Sequence, residues 1–590
     1  MINESILKIR NKTIYSLDYI GFIFSSFPLS LKIFLSIITL LIFILPGFFS
    51  LPPLDRDEAR FAQASRQMLE SGDYISIKFQ EELRSKKPIG IYWIQSTSAK
   101  IFGKDKIFSY RLPNIFASLV ICLLMGCFSF SILYYYTSHS LPVSYSLAIL
   151  SCLLFSSTTG FAIEIRQAKT DTILLLVCII QQWLILKIYT YGKFEWNIYE
   201  KNKISWLSRF FWIIISIGIL IKGPISPLLA FSTILCLVSL DRIVEKKWDL
   251  SWLSIFLWVQ GIVIISLIVL PWVFLAWQKT DGALIMDALN QDLFSKIMSG
   301  QENHGAPPGS HLLALLFTFW PLAILLPLAG RACLDWSHHY IIRFLISWVL
   351  PFWVLMELIP TKLPHYILPI FPGLIILILI GLSSPGSGKK VLKIFGRLFQ
   401  SLAGLATILL FIIYISFSIL LSTNYFNVFL AIVIGTLSII SFLMSVIFLL
   451  NYCKSKLTPL FAMTLLAGIS HALFLGVFVP NLDKIHLSSK VSSYIETLKP
   501  FPEIIVSSGF HEPSLVFSLG KDTMLLNSNE AAIILAEGEN VIAIVENREK
   551  KSFENSLKQL NQKFKEIERI TGYNLAKGEK TSIGIYKRIN

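Results

Sequence analysis

Long apolar blocks recur along most of the chain and are separated by short polar segments. Many blocks approach the roughly 20 residues that a helix needs to cross a hydrocarbon core about 30 Å thick. An unpaired backbone group in lipid costs several kcal/mol, so such blocks must fold as helices. The pattern therefore predicts a polytopic α-helical membrane protein. About thirteen spans are expected, near residues 31–51, 112–136, 142–161, 170–190, 206–221, 224–240, 253–276, 311–330, 341–358, 365–382, 398–421, 425–450 and 458–480.

Three longer segments interrupt or follow these spans. Residues 52–111 form a first loop, and residues 277–310 form a second loop. Residues 1–480 then make up a transmembrane domain, followed by a small α/β domain at 481–590 with a helical stretch at 551–565. The β-rich runs of this last domain are 503–507, 523–526, 541–546 and 581–587.

The distribution of Lys and Arg predicts the orientation in the membrane. Basic residues concentrate in the N-terminus and in alternate loops, whereas the intervening short loops contain few. Because cytoplasmic loops carry the excess of Lys and Arg, the N-terminus is expected in the cytoplasm and the first apolar block as a retained anchor. An odd number of spans then places both long loops and the terminal domain outside.

Composition supports this interpretation. Hydrophobic residues make up 54% of the 590 residues and charged residues only 15%, with a mean hydropathy of +0.65. The net charge of +15 does not predict nucleic-acid binding, because residues 481–590 are nearly neutral and the excess lies in the membrane part. The seven cysteines lie in or beside apolar blocks without a CxxC motif, which favours buried or lipid-facing thiols.

The first loop carries two groups of polar residues. Asp57, Glu58 and Arg60 lie directly after the first span, where a carboxylate tuned by an arginine could act as a general base. The alternative is an ordinary solvated helix start, since acids favour helix N-termini. Lys86 and Lys87 suit the phosphate of a lipid, although interfacial lysines that keep their heads in water would look similar.

Further polar residues fall on the same predicted face. Asp171 begins the fourth span, and ionisable groups at membrane depth are expensive and usually functional. A helix cap paired with Lys169 is the alternative. The remaining residues of this set are Lys222, His304, Lys362 and Tyr366. Independent solvated loops need no such concentration of mixed charge on one face, so we predict a site there.

A carboxylate and several cations at the outer membrane boundary suit a donor with a lipid tail and a phosphate head. In sugar transfer from a polyprenyl phosphate, the departing lipid phosphate gains negative charge that cations stabilise. The carboxylate would serve as base on the opposite face of the sugar, inverting the anomeric carbon. No glycine-rich βα turn indicates a nucleotide-sugar fold.

Several short runs carry a family resemblance, in order along the membrane region. They are Asp57 to Ala62, Met68 to Tyr74, Lys87 to Ile94, Asp171, Lys222-Gly223-Pro224, Pro271-Trp272, His304 to Pro307 and Lys362 to Pro369. As a set they resemble the aminoarabinose transferase and protein O-mannosyltransferase superfamily of GT-C glycosyltransferases, most closely the bacterial enzymes that modify lipid A.

The resemblance implies a GT-C fold with a periplasmic C-terminal domain in the bacterial inner membrane. It also implies inverting transfer from an undecaprenyl-type phosphate sugar to lipid A or another envelope glycolipid, by a monomer in the bilayer. Open alternatives are a protein O-glycosyltransferase, a transporter or flippase of lipid-linked sugars, and a scaffolding membrane protein. A flippase needs a polar path across the membrane, and acids within the spans are scarce.

Carried over by position, the resemblance implies that Asp57 is the essential base or the carboxylate that orients the substrate. Lys87 would hold the lipid phosphate. The full expectation is catalytic roles for Asp57, Glu58 and Asp171, and donor or phosphate binding by Arg60, Lys86, Lys87, Lys222, His304, Lys362 and Tyr366.

One position departs from the superfamily pattern. Lys86 stands where those enzymes usually have an acid that can help to hold a metal. No cofactor is therefore firmly implied, and whether a divalent metal binds stays open. The additional positive charge predicts a preference for an acidic sugar such as galacturonate over a cationic one.

Overall fold

A computed structural model of the chain describes residues 28–136, 140–194, 201–290, 305–382, 390–422, 424–450, 457–560 and 562–589. Within these ranges ten helices are long and apolar enough to cross a membrane, or eleven if a pair bent by 112° counts as one span. Two shorter apolar helices add to them. Each of the predicted spans coincides with one of these helices or with the bent pair, so the polytopic helical fold class is confirmed.

The bounds of the membrane helices follow the predicted order. The ten long helices are Ile107–Tyr135, Asp171–Lys193, Lys203–Lys222, Ile225–Glu245, Ser251–Lys279, Tyr340–Leu358, Pro364–Leu382, Gly396–Leu421, Tyr425–Leu450 and Thr458–Phe478. The bent pair is Ser310–Thr318 with Leu322–Asp335, and the shorter helices are Leu29–Ile44 and Leu141–Ser156.

The first span ends earlier than predicted. Its helix stops at Ile44, and Pro46 and Gly47 follow it in a turn that leads to the first loop. Gly47 has φ +89° and lies against the backbone of Leu475, where an added Cβ would come 2.6 Å from the carbonyl oxygen. A glycine is needed at this position because both the left-handed conformation and the close approach exclude a side chain.

The first loop is mostly helical. It contains the helices Asp57–Ser71 and Gly90–Phe102, joined through a two-stranded hairpin of Lys78–Phe79 and Glu82–Leu83. Two further short helices, Thr159–Glu164 and Ala283–Asp287, lie beside the membrane helices. Only the two ends of the predicted second loop, 277–290 and 305–310, fall within the described residues.

The C-terminal domain is a five-stranded sheet with helices on it. Along the sheet the strands are Met524–Leu526, Ile504–Ser508, Val541–Glu546, Glu579–Arg588 and Phe564–Asn574. The first three strands are parallel to one another. Glu579–Arg588 pairs antiparallel with Val541–Glu546, and Phe564–Asn574 pairs antiparallel with Glu579–Arg588. The helices of the domain are Leu487–Glu496, Pro513–Leu519, Ser528–Glu537 and Lys550–Gln559.

One sequence-based expectation for this domain is wrong. The helix expected over 551–565 ends at Gln559, and Phe564–Asn574 is a strand that the sequence pattern did not indicate. A register shift between Glu566 and Glu568 interrupts the pairing with the neighbouring strand. Such a bulge breaks the two-residue alternation that marks a strand in sequence.

The C-terminal domain packs on the first loop. Arg66 Nη1 donates a hydrogen bond to the backbone oxygen of Phe517 at 3.1 Å. Gln80 Nε2 donates to the backbone oxygens of Lys521 and Thr523 at 3.0 and 2.6 Å. The first loop and the C-terminal domain therefore lie at the same end of the helical bundle.

Candidate active site

Asp57 and Glu58 are neighbours in sequence but have different surroundings. The Glu58 side chain is fully buried and forms a two-point ion pair with Arg111, with Nε–Oε1 and Nη2–Oε2 distances of 2.7 Å each. The backbone amide of Ala168 also donates to Glu58, at 2.8 Å, and Arg111 donates to the backbone oxygen of Leu51 at 2.6 Å. This clamp joins the first loop, a membrane helix and the segment 166–170, so the geometry gives Glu58 a positioning role.

Asp57 is the first residue of the helix Asp57–Ser71 and is open to solvent. The protein around its carboxylate excludes part of the water, which raises the pKa, but four nearby cations outweigh this effect and bring the pKa below its usual range. In order of strength, the cations are Arg84, Lys169, Lys87 and Arg60. Asp57 is therefore an ionised carboxylate near four cations at neutral pH, and we call Asp57 and these cations the first cluster.

Arg84 is a cation that the sequence analysis missed. Its side chain is held in place, because the guanidinium lies 5.0 Å from the centre of the Phe61 ring and Nε donates to the Tyr92 hydroxyl at 3.1 Å. Arg84 is only 7% exposed, so its charge is fixed before any ligand arrives. The basic run Arg84 to Lys87 was the signal, but only its two lysines were considered.

A second polar cluster surrounds Asp171. Lys222 Nζ lies 2.5 Å from Asp171 Oδ1, and His365 Nε2 lies 3.5 Å from the same oxygen. The other ring nitrogen of His365 lies 3.6 Å from Glu164, and Glu164 pairs with Lys169 at 3.0 Å. Asp171, Glu164 and Lys169 are each less than 10% exposed. Five ionisable side chains thus form one connected network.

Lys169 joins the two clusters. Burial lowers its pKa, but Glu164 and Asp171, with a smaller effect of Asp57, raise the pKa above its usual value and keep the ammonium charged. The segment around it is rigid, because Asn114 Nδ2 donates to the backbone oxygen of Lys169 at 3.0 Å. The sequence analysis considered Lys169 only as a partner of Asp171, and it did not consider Glu164 although that acid interrupts an apolar run.

Tyr366 and Lys362 lie on the rim of the second cluster. The ammonium of Lys222 is 5.4 Å from the centre of the Tyr366 ring. Lys362 is largely buried and donates to the backbone oxygens of Glu357 and Ile359 at 2.8 and 2.6 Å, so it stabilises the loop before Tyr366.

The end of the second loop reaches this rim. Gly305 pairs with Thr361, and the Ala306 amide donates to the Pro360 oxygen at 3.3 Å. His304, the histidine predicted to bind the donor, lies outside the described residues.

The predicted site residues therefore divide into groups. Asp57, Arg60 and Lys87 belong to the first cluster, and Lys86 adjoins it, because its backbone oxygen accepts a hydrogen bond from Lys87 Nζ at 2.7 Å. Asp171, Lys222 and Tyr366 belong to the second cluster.

The residues present do not fit a metal ion. Among the described residues, no group of three or more His, Cys, Asp or Glu could hold one. We therefore derive no step through a metal.

Comparison with known proteins agrees with this architecture. Residues 29–284 match the family described as dolichyl-phosphate-mannose-protein mannosyltransferase. An undecaprenyl phosphate-alpha-4-amino-4-deoxy-L-arabinose arabinosyl transferase from Enterobacter sp. (strain 638) is 25% identical over 345 residues, 58% of this chain and 57% of that protein. One from Erwinia tasmaniensis is 25% identical over 361 residues, 60% of each protein. The matched segments thus span less than two thirds of these relatives.

The fold has a close counterpart among solved structures. The crystal structure of ArnT from Cupriavidus metallidurans bound to undecaprenyl phosphate superposes with a TM-score of 0.68 at 14% identity, covering 94% of this chain and 97% of that one. The fold is thus that of a multi-pass GT-C membrane protein with a C-terminal α/β domain. In sequence and fold the chain is thus similar to ArnT-like transferases and protein mannosyltransferases.

Proposed function

We propose that this protein is an inverting glycosyltransferase of the bacterial inner membrane. It moves a sugar from an undecaprenyl-type phosphate to lipid A or another envelope glycolipid at the periplasmic face. The observation that carries this proposal is the ionised Asp57 near four cations, at the end of a bundle of apolar helices. The names of the aligned relatives support the same donor class.

The cations of the first cluster suit the lipid phosphate. When the bond between sugar and phosphate breaks, negative charge grows on the departing phosphate, and fixed positive charges stabilise that charge without reorganisation. Arg84 is already fixed by Phe61 and Tyr92, and Lys87 is another of the four cations that lower the pKa of Asp57. These two residues are our assignment for phosphate binding.

Asp57 has a pKa that depends on what occupies the site. In the free protein the surrounding cations lower its pKa, which makes the carboxylate a poor proton acceptor. A bound phosphate shares those cations and raises the pKa of Asp57, so donor binding would turn the carboxylate into a better base. A phosphate acceptor would already be ionised, and for such an acceptor Asp57 would orient the substrate.

The second cluster suits the hydroxyl groups of the sugar. Asp171, Lys222 and His365 offer both acceptors and donors within a small buried volume. Tyr366 covers one side of Lys222 and gives an apolar ring against which a sugar can pack. We assign Asp171 as the second essential acid because Lys169 couples it electrostatically to the first cluster.

The charge of the transferred sugar is the most specific feature that we propose. Lys86 precedes Lys87 in the chain and adds a positive charge to this segment, which would favour a donor with a carboxylate, such as undecaprenyl phosphate galacturonate. The test offers purified protein this donor and undecaprenyl phosphate aminoarabinose, with lipid A as acceptor. We expect preference for the acidic sugar and a shift toward the aminosugar in Lys86→Glu. Use of the aminosugar alone by the wild type would contradict this assignment.

A protein acceptor is the second candidate. The description of the family that matches residues 29–284 supports it, because that family is named for transfer to protein. Mass spectrometry of lipid A, other envelope glycolipids and periplasmic proteins from a deletion strain separates the two. Loss of a sugar from a glycolipid supports our first choice, loss from proteins supports the second, and no loss from either class contradicts the proposed function.

A further inference from the structure

We propose that the C-terminal domain positions Asp57, acting through its helix Pro513–Leu519 and the turn at Ala576. This role rests on the proposed function, because it assumes that Asp57 acts in the transfer reaction. Two sets of contacts and one backbone conformation carry the inference.

The first set lies at the two residues directly before Asp57. The hydroxyl of Ser514 donates a hydrogen bond to the carboxylate of Asp55. The guanidinium of Arg56 donates to the backbone oxygen of Ala576. The C-terminal domain thus holds two consecutive residues whose backbone leads into the first turn of the helix that carries Asp57.

The backbone conformation is that of Arg56. It has φ 63° and ψ −113°, a conformation that a residue other than glycine rarely adopts. Such a conformation persists only where the surrounding contacts hold it. Arg56 itself donates the hydrogen bond to Ala576, and the residue before it, Asp55, accepts the hydrogen bond from Ser514.

The second set of contacts lies behind the cluster. Phe517 is 3% exposed and packs in an apolar cluster with Ala62 of the Asp57 helix and Ala168, the neighbour of Lys169. Its ring also meets Tyr110 edge-on, with 5.5 Å between the ring centres. The helix Pro513–Leu519 therefore packs on the helix that bears Asp57, and its Phe517 belongs to the apolar cluster that includes Ala168.

These contacts predict a specific kinetic effect. The Glu58–Arg111 clamp keeps the first loop folded without the C-terminal contacts, and Arg84 stays fixed by Phe61 and Tyr92. Releasing the contacts lets the strained backbone at Arg56 relax, which shifts Asp57 relative to the bound sugar. A small misplacement of a reacting group slows the chemical step but leaves phosphate binding intact.

The experiment compares Ser514→Ala with Ser518→Ala in the full-length protein. Ser518 lies on the same helix, and its hydroxyl donates to the Ser514 backbone oxygen of that helix at 2.8 Å, which makes it a matched control. We expect Ser514→Ala to lower kcat about tenfold, the effect of losing a hydrogen bond to a charged group. The Kd for undecaprenyl phosphate should stay within about twofold.

Hydrogen exchange of residues 54–60 gives a readout that does not depend on turnover. Ser514→Ala and a second variant, Arg56→Gly, should both exchange faster there, whereas Ser518→Ala should match the wild type. Unchanged kcat in Ser514→Ala, or equal losses of kcat and phosphate binding, would overturn the positioning role. A wild type that transfers no lipid-linked sugar would refute the proposed function and this role with it, whereas an active wild type with equally active Ser514→Ala would refute this role alone.

Discussion

Neutralising the buried Glu58–Arg111 pair one residue at a time and then together gives a sharp test of the site's construction. Both side chains are 0% exposed, so neither charge can reach solvent when its partner is removed. The perturbations are Glu58→Gln, Arg111→Met and the double variant. All three keep the approximate size of the side chains and change mainly charge and hydrogen bonding.

The magnitude follows from what each single change leaves behind. Arg111→Met leaves the Glu58 carboxylate buried with only backbone amides, and breaking such a pair costs about 3–5 kcal/mol. Glu58→Gln leaves the Arg111 guanidinium with the backbone oxygens of Leu51 and Pro52, at 2.6 and 3.0 Å, so its cost falls at the lower end of that range. The double variant leaves no buried charge without a partner. Its loss of unfolding free energy should therefore be smaller than the sum of the two single losses, by about 1–3 kcal/mol.

The assay is unfolding of the purified proteins in detergent, followed by denaturant and by temperature. Asp57→Asn provides the contrast, because that residue is open to solvent and should lose activity while remaining folded. If the loss of unfolding free energy in the double variant equals the sum of the losses in Glu58→Gln and Arg111→Met, the two side chains do not stabilise each other and the proposed clamp is refuted. A Glu58→Gln protein as stable as wild type but inactive would instead indicate that Glu58 takes part in the chemistry.

Further predictions follow from the charges around the two clusters. Arg84→Gln should raise the pKa of Asp57, moving the acidic limb of the pH–rate profile to higher pH, and should weaken undecaprenyl phosphate binding about tenfold; an unmoved limb would contradict the effect of Arg84 on Asp57. Burial, with a smaller effect of the nearby acid Glu512, raises the pKa of Asp55 to about 6. Between about pH 4 and 6 the folded protein therefore retains a proton that the unfolded chain releases, so the free energy of unfolding should fall as pH rises through this range. Thermal unfolding of Asp55→Asn should not show this pH dependence. Lys222→Met should abolish transfer but spare phosphate binding, since it removes the ammonium that lies 2.5 Å from the buried Asp171 carboxylate. Isothermal titration with undecaprenyl phosphate measures the phosphate binding.

The membrane architecture could be predicted because it depends on local properties. A span is a continuous run of apolar residues of fixed length, so the helices could be placed from hydropathy alone. The ends were less certain where a turn depends on distant atoms. Gly47 ends the first span against Leu475, a contact that no local pattern indicates.

The polar site could be predicted only in outline. Asp57 and Glu58 look alike in sequence, and their different environments depend on Arg111, which lies 53 residues beyond Glu58. Arg84 and Glu164 were missed because their importance comes from partners in other segments, Asp57 and His365. The strand Phe564–Asn574 was missed because its bulge disrupts the alternation that marks a strand.

The most direct measurement of the central claim is single-turnover transfer by purified protein. Undecaprenyl phosphate sugar and lipid A are incubated with wild type and with Asp57→Asn, and the products are followed by mass spectrometry with analysis of the anomeric configuration. We predict that the wild type forms glycosylated lipid A with inverted configuration, releasing undecaprenyl phosphate, and that Asp57→Asn binds the donor but forms no product. Equal product formation by Asp57→Asn, or retained configuration, would contradict the account.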